Sequence, residues 1–362
     1  MIIGVDAGAL SITDDRLKVG VYRVTLHLLR ELARIDTKNT YRLYSFRPID
    51  RGVMNDLGKR MTNRVITPAR GWFSIRLPLE LSLHPVDVFL GVSQALPRST
   101  SHNIGFIYDL GFLFNQDAYS GAAQKLKAQT RSLVERADSI VTISNATKKD
   151  ILREYTMDQS KVAVAYPGVD LSFSSTAEAF QSTNPYVLFV GSLNKAKDLS
   201  LAMRAFSLTT KRLKKKYDFL LVGGDYWPDP CIDKTIEEFG LEDRVKKLGR
   251  ISDSELPKYY RGATALFTTP LHEGFCLPAV EAMASGTPVV SVDRGAMKEI
   301  VGDGGIISGS LKEEGVADTL YRFLSDNPMR KKYKARAIER SKQFRWPSFA
   351  SQVYDLIKRY EH

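Results

Sequence analysis

Short apolar runs rich in β-branched and aromatic residues alternate along this chain with longer stretches of helical periodicity. Such alternation is typical of parallel sheets whose strands are joined by crossover helices. The pattern stops at a polar stretch, residues 172–184, and begins again immediately after it. We therefore predict an α/β fold of two doubly wound units in succession, with the polar stretch as the linker between them.

The individual elements are predicted from the same periodicities. The clearest helix spans 21–35, because its apolar residues fall on one face, and a second amphipathic helix is expected over 344–360. The strands expected in the first unit are 2–5, 41–46, 65–67, 86–90, 103–108, 139–143 and 162–166. The strands expected in the second unit are 186–190, 219–222, 245–248, 265–268, 288–292 and 305–307.

Length and composition point to an ordinary globular protein. The 362 residues fit two domains of about 170 residues each, and 43% of them are hydrophobic and 26% charged. No run approaches the roughly eighteen consecutive apolar residues of a membrane-spanning helix, and the first residues resemble a buried strand rather than a signal peptide. Only two cysteines occur, Cys231 and Cys276, which argues against a disulfide framework. A cytoplasmic protein is expected.

The net charge of +11 is spread evenly, with +5 over residues 1–183 and +6 over the remainder, so no nucleic-acid-binding arm is predicted. One cluster between residues 51 and 76 places Trp72 and Phe73 among basic residues and a single acid, Asp56. Two interpretations remain open: peripheral contact with an anionic membrane or a lipid pyrophosphate, and a solvated helix face followed by a core aromatic pair. The cluster contains Arg51, Lys59, Arg60, Arg64, Arg70 and Arg76, with Met54 and Met61 between them.

The stretch HEGFCLPAVEAMASGTPVV, residues 272–290, carries the strongest functional signal. It places Glu273 and Glu281 eight positions apart across a junction between a strand, a loop and a helix, with Pro278 in the first turn and Gly286 just past the helix end. Free backbone N–H groups at such a junction suit a phosphate, and Glu281 could accept a hydrogen bond from a ribose or sugar hydroxyl. The alternative is a buried αβ unit whose glutamates are solvated or paired.

This stretch resembles the glutamate-x7-glutamate motif of the retaining glycosyltransferases of family 4, and the resemblance extends over nearly the whole chain. It implies the GT-B fold, in which two Rossmann-like domains face each other across a cleft and a C-terminal helix crosses back to the N-terminal domain. The implied boundaries are an N-terminal acceptor-side domain 1–171, a linker 172–184, a C-terminal nucleotide-sugar-binding domain 185–343 and the returning helix 344–362.

The loop after the first strand of the second unit, Gly191-Ser-Leu-Asn-Lys-Ala-Lys197, resembles the loop with which the family holds the donor diphosphate. Lys197 matches the family's lysine. Ala196 stands where many relatives have arginine, so Lys195 is expected to supply the second charge. Preorganised cations stabilise a nucleoside diphosphate as it leaves with growing negative charge.

The resemblance assigns further donor contacts. Leu248-Gly249-Arg250-Ile251 resembles the segment that reads the nucleotide base, which brings Arg250 to the donor side. No divalent metal is expected, because no Asp-x-Asp pair is placed to hold one, and no cofactor is expected, because the nucleotide sugar is a co-substrate. The backbone N–H groups expected to hold the distal phosphate are those of Gly274, Phe275, Cys276 and Leu277.

Two segments of the first unit resemble the family's acceptor-side loops. In Lys18-Val-Gly20-Val-Tyr-Arg-Val24, Gly20 matches the first glycine of a Gly-Ile-Gly-Arg-Tyr loop and Tyr22 replaces the second. In the other segment Tyr108 replaces a histidine and is expected to hydrogen-bond a sugar hydroxyl, while Asp109 is either an acid facing the ligand or a local helix cap. Trp72 is assigned to the same acceptor side.

The implied function is a metal-independent, retaining transfer of a hexose from a nucleotide sugar to a glycan or lipid-linked acceptor. The lysine loop looks most like that of bacterial mannosyltransferases of surface-polysaccharide synthesis, so GDP-mannose is the first donor expected and UDP-sugars are the second. Glu273 and Lys197 are expected to be essential, although neither is assigned as a general base. The alternatives are an epimerase or phosphorylase of the same fold, and a non-catalytic nucleotide-sugar-binding protein.

Overall fold

Two parallel sheets organise this computed structural model, which describes residues 1–14, 18, 20–119, 121–224 and 229–361. The chain divides into two units, each of which contains one sheet. The first unit consists of Met1–Leu110, Gly121–Gly168 and Arg345–His362, and the second of Gly111–Ser120 and Val169–Phe344. Among the described residues, no helix has both the length and the apolar character needed to cross a bilayer.

The sheet of the first unit has seven parallel strands. They are β1 (Ile2–Asp6), β2 (Thr40–Ser45), β3 (Met61–Val65), β4 (Val88–Gly91), β5 (His102–Ile107), β6 (Ser139–Thr142) and β7 (Val162–Val164). Their order is β3-β2-β1-β4-β5-β6-β7, so the direction of winding reverses between β1 and β4. The central strands are almost entirely buried, which is why most of their residues are apolar.

The sheet of the second unit has six parallel strands. They are β8 (Tyr186–Val190), β9 (Asp218–Val222), β10 (Val245–Gly249), β11 (Ala265–Phe267), β12 (Val289–Val292) and β13 (Gly305–Ser308). The order β10-β9-β8-β11-β12-β13 is that of a Rossmann sheet, and the winding reverses between β8 and β11.

Helices connect the strands and cover the sheets. In the described residues they are α1 (Gly20–Ile35), α2 (Arg51–Leu57), α3 (Leu77–Leu83), α4 (Gly111–Phe114), α5 (Ala122–Arg136), α6 (Asn145–Glu154), α7 (Leu199–Arg212), α8 (Cys231–Glu238), α9 (Leu256–Gly262), α10 (Leu277–Ala284), α11 (Met297–Val301), α12 (Glu313–Ser325), α13 (Asn327–Ser341) and α14 (Trp346–Lys358). The apolar face predicted for the first helix is buried in α1, as the periodicity requires.

The last helix, α14, packs on α1 within the first unit. The ring of Trp346 stacks on the ring of His27 with centroids 4.4 Å apart, and Glu361 accepts a hydrogen bond from Asn39 at 3.2 Å. The expected return of the C-terminal helix to the N-terminal domain is therefore confirmed, as is the fold of two Rossmann-like sheets.

The polar stretch 172–184 belongs to the second unit and contacts α9. The Phe180 ring stacks on the Tyr259 ring at 4.2 Å, and the Phe180 N–H donates to the carbonyl of Lys258 at 2.9 Å. The Arg261 guanidinium donates to the carbonyls of Ser174 and Glu178 from the other side. This stretch is thus packed and hydrogen-bonded to α9.

One strand was placed wrongly by the sequence pattern. A strand was expected over 65–67, whereas β3 covers Met61–Val65. β3 lies at the edge of the sheet and only Met61 in it is fully buried, so most of its residues are polar and exposed. The sequence pattern instead favoured the apolar pair at the end of the strand, Val65 and Ile66, because an edge strand needs little apolar sequence.

Candidate functional site

The carboxyl ends of β8 and β11 lie side by side at the point where the second sheet reverses its winding. In open α/β sheets, the loops at such a reversal point away from each other and leave a crevice that binds ligands. The loop after β8 contains Gly191 and Lys197, and the loop after β11 contains Glu273. The sheet order therefore brings together two motifs that are 76 residues apart in sequence.

Lys197 and Glu273 form an ion pair at this edge. Lys197 Nζ lies 2.6 Å from Glu273 Oε2, and the two side chains are 26% and 18% exposed. A backbone hydrogen bond from the Leu271 N–H to the carbonyl of Ala196, 2.9 Å long, joins the same two loops. Both charged groups are thus fixed in position while remaining open to solvent.

The loop after β8 is shaped by a close backbone contact. A Cβ atom added to Gly223 would lie 1.8 Å from the carbonyl oxygen of Gly191, so only glycine fits at 223. The Leu193 N–H donates to the carbonyl of Gly224 at 2.9 Å. The loop then makes a single 3₁₀ turn, Lys195–Lys197, before α7. Lys195 is exposed on this turn.

The loop that carries Glu273 is held from the other side by the segment after β12. The Ala296 N–H donates to the carbonyl of Glu273 at 2.7 Å. Gly295 has φ +61°, and a Cβ atom there would lie 2.3 Å from the same carbonyl oxygen. The residue that packs against the Glu273 backbone, Gly295, must therefore be glycine.

The residues expected to hold a phosphate lie at the start of α10. Cys276 precedes the helix in the left-handed conformation, with φ 71° and ψ 73°, and Pro278 occupies its first turn. Gly274 and Phe275 are buried, and the Phe275 ring packs edge-on against Phe344 with centroids 5.4 Å apart. Leu277 begins the helix. Their role toward a phosphate stays a prediction.

Cys276 also lies close in sequence to Glu273 of the ion pair. Burial, followed by the negative charge of Glu273, raises the pKa of this thiol to about 12. A thiol with such a pKa stays protonated near neutral pH and is a weak nucleophile. The site therefore does not contain an activated cysteine at this position.

Glu281 has a protein partner. It lies on α10 and is buried, and its Oε2 accepts a hydrogen bond from the Tyr260 hydroxyl at 2.8 Å. Tyr260 on α9 is itself buried, with its ring edge-on to Phe173. The second glutamate of the motif thus links α10 to α9, and its expected contact with a ribose or sugar hydroxyl stays a prediction.

Arg294 is a residue of this site that sequence reasoning missed. Its Nη1 donates to Asp198 Oδ2 at 2.8 Å and to the carbonyl of Pro270 at 3.3 Å. Thr269 Oγ1 in turn donates to the carbonyl of Asp198 at 2.8 Å. Asp198 follows Lys197 directly and has φ 47°, an unusual conformation for a residue with a side chain. No motif marks Arg294, because the pairing depends on loops that meet only in the folded sheet.

One further donor-side prediction, Arg250, lies at the carboxyl end of the edge strand β10. Arg250 follows β10 directly and is exposed. The Gly223 N–H donates to the carbonyl of Gly249 at 2.8 Å, which ties the end of β10 to the loop after β9. Phe114 on α4, which no pattern indicated, packs its ring 5.1 Å from the ring of His272 beside Glu273.

Three of the remaining predicted residues, Gly20, Tyr108 and Asp109, belong to the first unit. Gly20 begins α1 and is exposed, while residues 15–17 and 19 before it lie outside the described part of the chain. The Tyr108 hydroxyl donates to the carbonyl of Val92 at 2.7 Å, and burial raises the pKa of this phenol. Tyr108 is therefore neutral, and its proton is already used within the protein. The carbonyl of Asp109 accepts a hydrogen bond from Gln94 at 3.2 Å.

Trp72 belongs to the core of the first unit. Its side chain is buried, and its ring lies edge-on to Phe46 with centroids 5.9 Å apart. Of the two interpretations of residues 51–76, the one that places a core aromatic here holds for Trp72. An acceptor contact by Trp72 would require the side chain to leave the core.

Comparison with known proteins identifies the family. The model described as "Glycosyltransferase Family 4" matches residues 20–173, and the one described as "Glycosyl transferases group 1" matches residues 173–340. The chain is 25% identical to O-antigen chain mannosyltransferase B of Escherichia coli over 283 residues, which cover 75% of this chain and 74% of that protein.

Solved structures agree in fold over the whole length. Sucrose-phosphate synthase from Thermosynechococcus elongatus superimposes with a TM-score of 0.78 at 18% identity, covering 99% of this chain and 98% of that one. HepE of Anabaena, solved in complex with UDP-glucose, superimposes with a TM-score of 0.72 at 18% identity, covering 99% of each chain. The two family models together span residues 20–340, and the chain belongs to glycosyltransferase family 4, whose members are retaining hexosyltransferases that use nucleotide sugars.

Proposed function

We propose that this protein transfers mannose from GDP-mannose to a glycan or lipid-linked oligosaccharide, with retention at the anomeric carbon and without a divalent metal. The observation that carries the proposal is the Lys197–Glu273 ion pair at the reversal point of the second sheet. The choice of mannose is supported by the similarity to O-antigen chain mannosyltransferase B, which covers three quarters of the chain.

In this proposal Lys197 binds the donor diphosphate. Its ammonium group is partly exposed and lies beside the start of α10, where backbone N–H groups and the helix dipole favour an anion. Negative charge grows on the diphosphate as the bond to the sugar breaks, and a fixed cation stabilises that state. Lys195 on the same turn is exposed and would add a second positive charge.

Glu273 has a different role in the proposal. Without donor it neutralises Lys197, and with donor bound it would orient the sugar by accepting hydrogen bonds from the sugar hydroxyls. It is not assigned as a nucleophile. Retaining glycosidases that use one place a second carboxylic acid about 5 Å away. Here the second glutamate of the motif, Glu281, is hydrogen-bonded to Tyr260.

A front-face substitution fits these residues. The thiol of Cys276 and the phenol of Tyr108 both have raised pKa values, so neither is a base near neutral pH. The bond from the anomeric carbon to the phosphate oxygen would break while the acceptor oxygen forms its bond on the same face. The acceptor proton would pass to the leaving phosphate oxygen, so atoms and charge balance without a protein base.

The experiment is nucleotide release from GDP-mannose by purified protein, with and without EDTA and detergent-solubilised bacterial lipid. We expect release that is insensitive to EDTA and stimulated by lipid, and loss of release in Lys197→Ala and Glu273→Gln. The matched controls are Lys342→Ala and Glu339→Gln, because these residues form an exposed ion pair of the same 2.6 Å length in the same unit. Unchanged release in both site variants would refute the site assignment.

UDP-glucose is the second donor to test, because HepE, which shares the fold, was solved with it. Release of UDP and not of GDP would show that the donor is a UDP-sugar, and the assignment of the site would be unchanged. The remaining alternative is a non-catalytic nucleotide-sugar-binding protein, in which Ala196 and Tyr108 have replaced functional residues. Tight binding of a nucleotide sugar without release, with every acceptor, would favour that alternative.

A further inference from the structure

Three aliphatic side chains of the first unit are exposed on its surface and are not part of its core. Ile75, Leu79 and Leu83 are 62%, 55% and 66% exposed. Their spacing of four residues puts them in a row along one side of a helix. We call this row the aliphatic ridge.

The helix that carries the ridge is anchored by its opposite side. A π-helical turn, Trp72–Arg76, continues directly into α3, so the two form one helical segment. Trp72, Leu77 and Leu81 of this segment are buried. Because these inner residues already supply the packing, the ridge adds nothing to the core of the unit. Contiguous exposed apolar side chains of this kind mark interaction surfaces.

The sequence on either side of the ridge is basic. Residues 57–86 contain five arginine or lysine residues and a single acid, Glu80. The Glu80 carboxylate is largely buried and lies 2.9 Å from Arg64 Nε and 3.3 Å from His84 Nδ1. The negative charge closest to the ridge is thus already compensated. Arg70 is exposed and Arg76 is half-buried at the start of the same segment.

We propose that the aliphatic ridge is a membrane-docking surface, which inserts into the interfacial layer of a bilayer that contains anionic lipid. A helix lying in that layer buries one apolar face, and basic residues beside it attract anionic headgroups. The charge around the ridge is complementary to such a bilayer and not to a basic protein surface. The inference rests on the proposed function in one respect: a lipid-linked acceptor gives the enzyme a reason to reach the membrane.

The ridge also revises the sequence-based expectation of membrane contact. That expectation relied on Trp72, Phe73, Met54 and Met61 as the apolar residues of the contact. The structure buries Trp72 and Met61. The aliphatic residues that follow them in sequence take their place.

The test is flotation of the full chain with vesicles of phosphatidylethanolamine and phosphatidylglycerol, compared with vesicles of phosphatidylcholine alone. We expect binding to the anionic vesicles that weakens as salt is added. Replacing Ile75, Leu79 and Leu83 together by Gln should weaken binding at least about tenfold, because the apolar contact is lost. Replacing Arg70 and Arg76 by Gln should weaken binding to anionic vesicles about tenfold and reduce its salt dependence.

The matched control is Leu171→Gln, because Leu171 is 97% exposed and belongs to the second unit. It should bind vesicles like the wild type. The triple variant should melt at the wild-type temperature, since its changes are on the surface and glutamine suits a helix about as well as leucine. Nucleotide release without lipid should also be unchanged, so a failure of docking is distinguished from a failure of sugar transfer.

Three outcomes would overturn the proposal. The wild type could fail to bind anionic vesicles, or the triple variant could bind them as well as the wild type does. Light scattering could instead show a dimer in solution that the triple variant loses, in which case a second copy of the chain covers the ridge. Binding that the triple variant loses and the Leu171→Gln control keeps would support it.

Discussion

Asp198 accepts a 2.8 Å hydrogen bond from Arg294, and this pair joins the loop after β8 to the loop after β12. Asp198 follows Lys197, and Arg294 precedes the two residues that enclose the Glu273 backbone. Each member of the Lys197–Glu273 ion pair therefore has a neighbour in this second ion pair. Both Asp198 and Arg294 are largely buried, so the contact is less screened by solvent than a surface pair.

We predict that Arg294→Met weakens binding of the nucleotide sugar about tenfold, because a charge-assisted hydrogen bond that fixes Lys197 is lost. Arg294→Lys should recover part of the loss, since it keeps the charge without the planar guanidinium. Isothermal calorimetry with GDP-mannose and UDP-glucose measures the effect. Arg212→Met is the control, because Arg212 pairs with Asp318 on the exposed side of the same unit.

We predict that Arg294 acts by positioning Asp198 and not by contact with the donor, and a double variant tests this prediction. A double variant that also carries Asp198→Asn should bind donor no more weakly than the worse of the two single variants, because both remove the same interaction. Independent losses that add would show that Arg294 does not act through Asp198.

Gly295→Ala should disturb the site through its backbone. The new Cβ would lie 2.3 Å from the Glu273 carbonyl oxygen, and alanine rarely adopts the positive φ of this position. We expect a loss of about 1–3 kcal/mol in the free energy of unfolding and lower activity in the protein that remains folded. Urea unfolding and nucleotide release measure the two effects.

Gly309→Ala is the matched control for that change. Gly309 also lies in a loop of the second unit, and no atom lies within 4 Å of a Cβ added there. It should change neither stability nor nucleotide release by more than a small amount. An equal loss in both variants would mean that the Glu273 contact is not the cause.

The fold was predictable because the buried strands are short continuous apolar runs and the helices between them are amphipathic. β4 and β12, which are buried throughout, are examples of strands that the pattern located. β3 was misplaced because an edge strand has one exposed face and a free side, and its sequence Met-Thr-Asn-Arg-Val is mostly polar. The local pattern of apolar and polar residues does not predict the order of the strands in each sheet.

Part of the site was predictable for a similar reason. Lys197 and Glu273 lie in loops that follow apolar strands, and residues at the carboxyl ends of neighbouring parallel strands meet at one edge. The partners Arg294 and Tyr260 were not predictable. Their hydrogen bonds to Asp198 and Glu281 depend on the left-handed conformation of one residue and on the packing of two helices.

The two cysteines should react differently with an alkylating reagent. Cys231 is exposed, whereas Cys276 is buried and its thiol has a pKa of about 12. The thiolate is the reactive form, so near neutral pH iodoacetamide should modify Cys231 in the native protein and leave Cys276 unmodified. Mass spectrometry of peptides, with urea-unfolded protein as the control, measures both positions. Rapid modification of Cys276 in the native protein would contradict its placement.

Asp6 should lower the stability of the protein as the pH rises. It ends β1 and is fully buried, and burial raises its pKa above the ordinary value of 3.8 even though Ser93, Gly8 and Trp72 lie close enough to oppose the shift. Among the described residues, Asp6 Oδ2 has no hydrogen-bond partner of good geometry. Below 3.8 the carboxyl is protonated in both states, and above it the unfolded chain loses its proton first. The native state therefore binds the proton more tightly, and stability falls as the pH rises through the native pKa.

Asp6→Asn should therefore be more stable relative to the wild type near neutral pH than at pH values below 3.8. Asp36→Asn is the control with the opposite sign. Burial opposes the ionised form of Asp36 as well, but hydrogen bonds from Tyr41 and Asn39 outweigh it and lower its pKa. That variant should be less stable than the wild type near neutral pH, and the difference should shrink as the pH falls below 3.8. Urea unfolding of the wild type and the two variants across this pH range measures the free energy of unfolding of each. If that free energy changed with pH in the same way in Asp6→Asn and the wild type, the raised pKa of Asp6 would be contradicted.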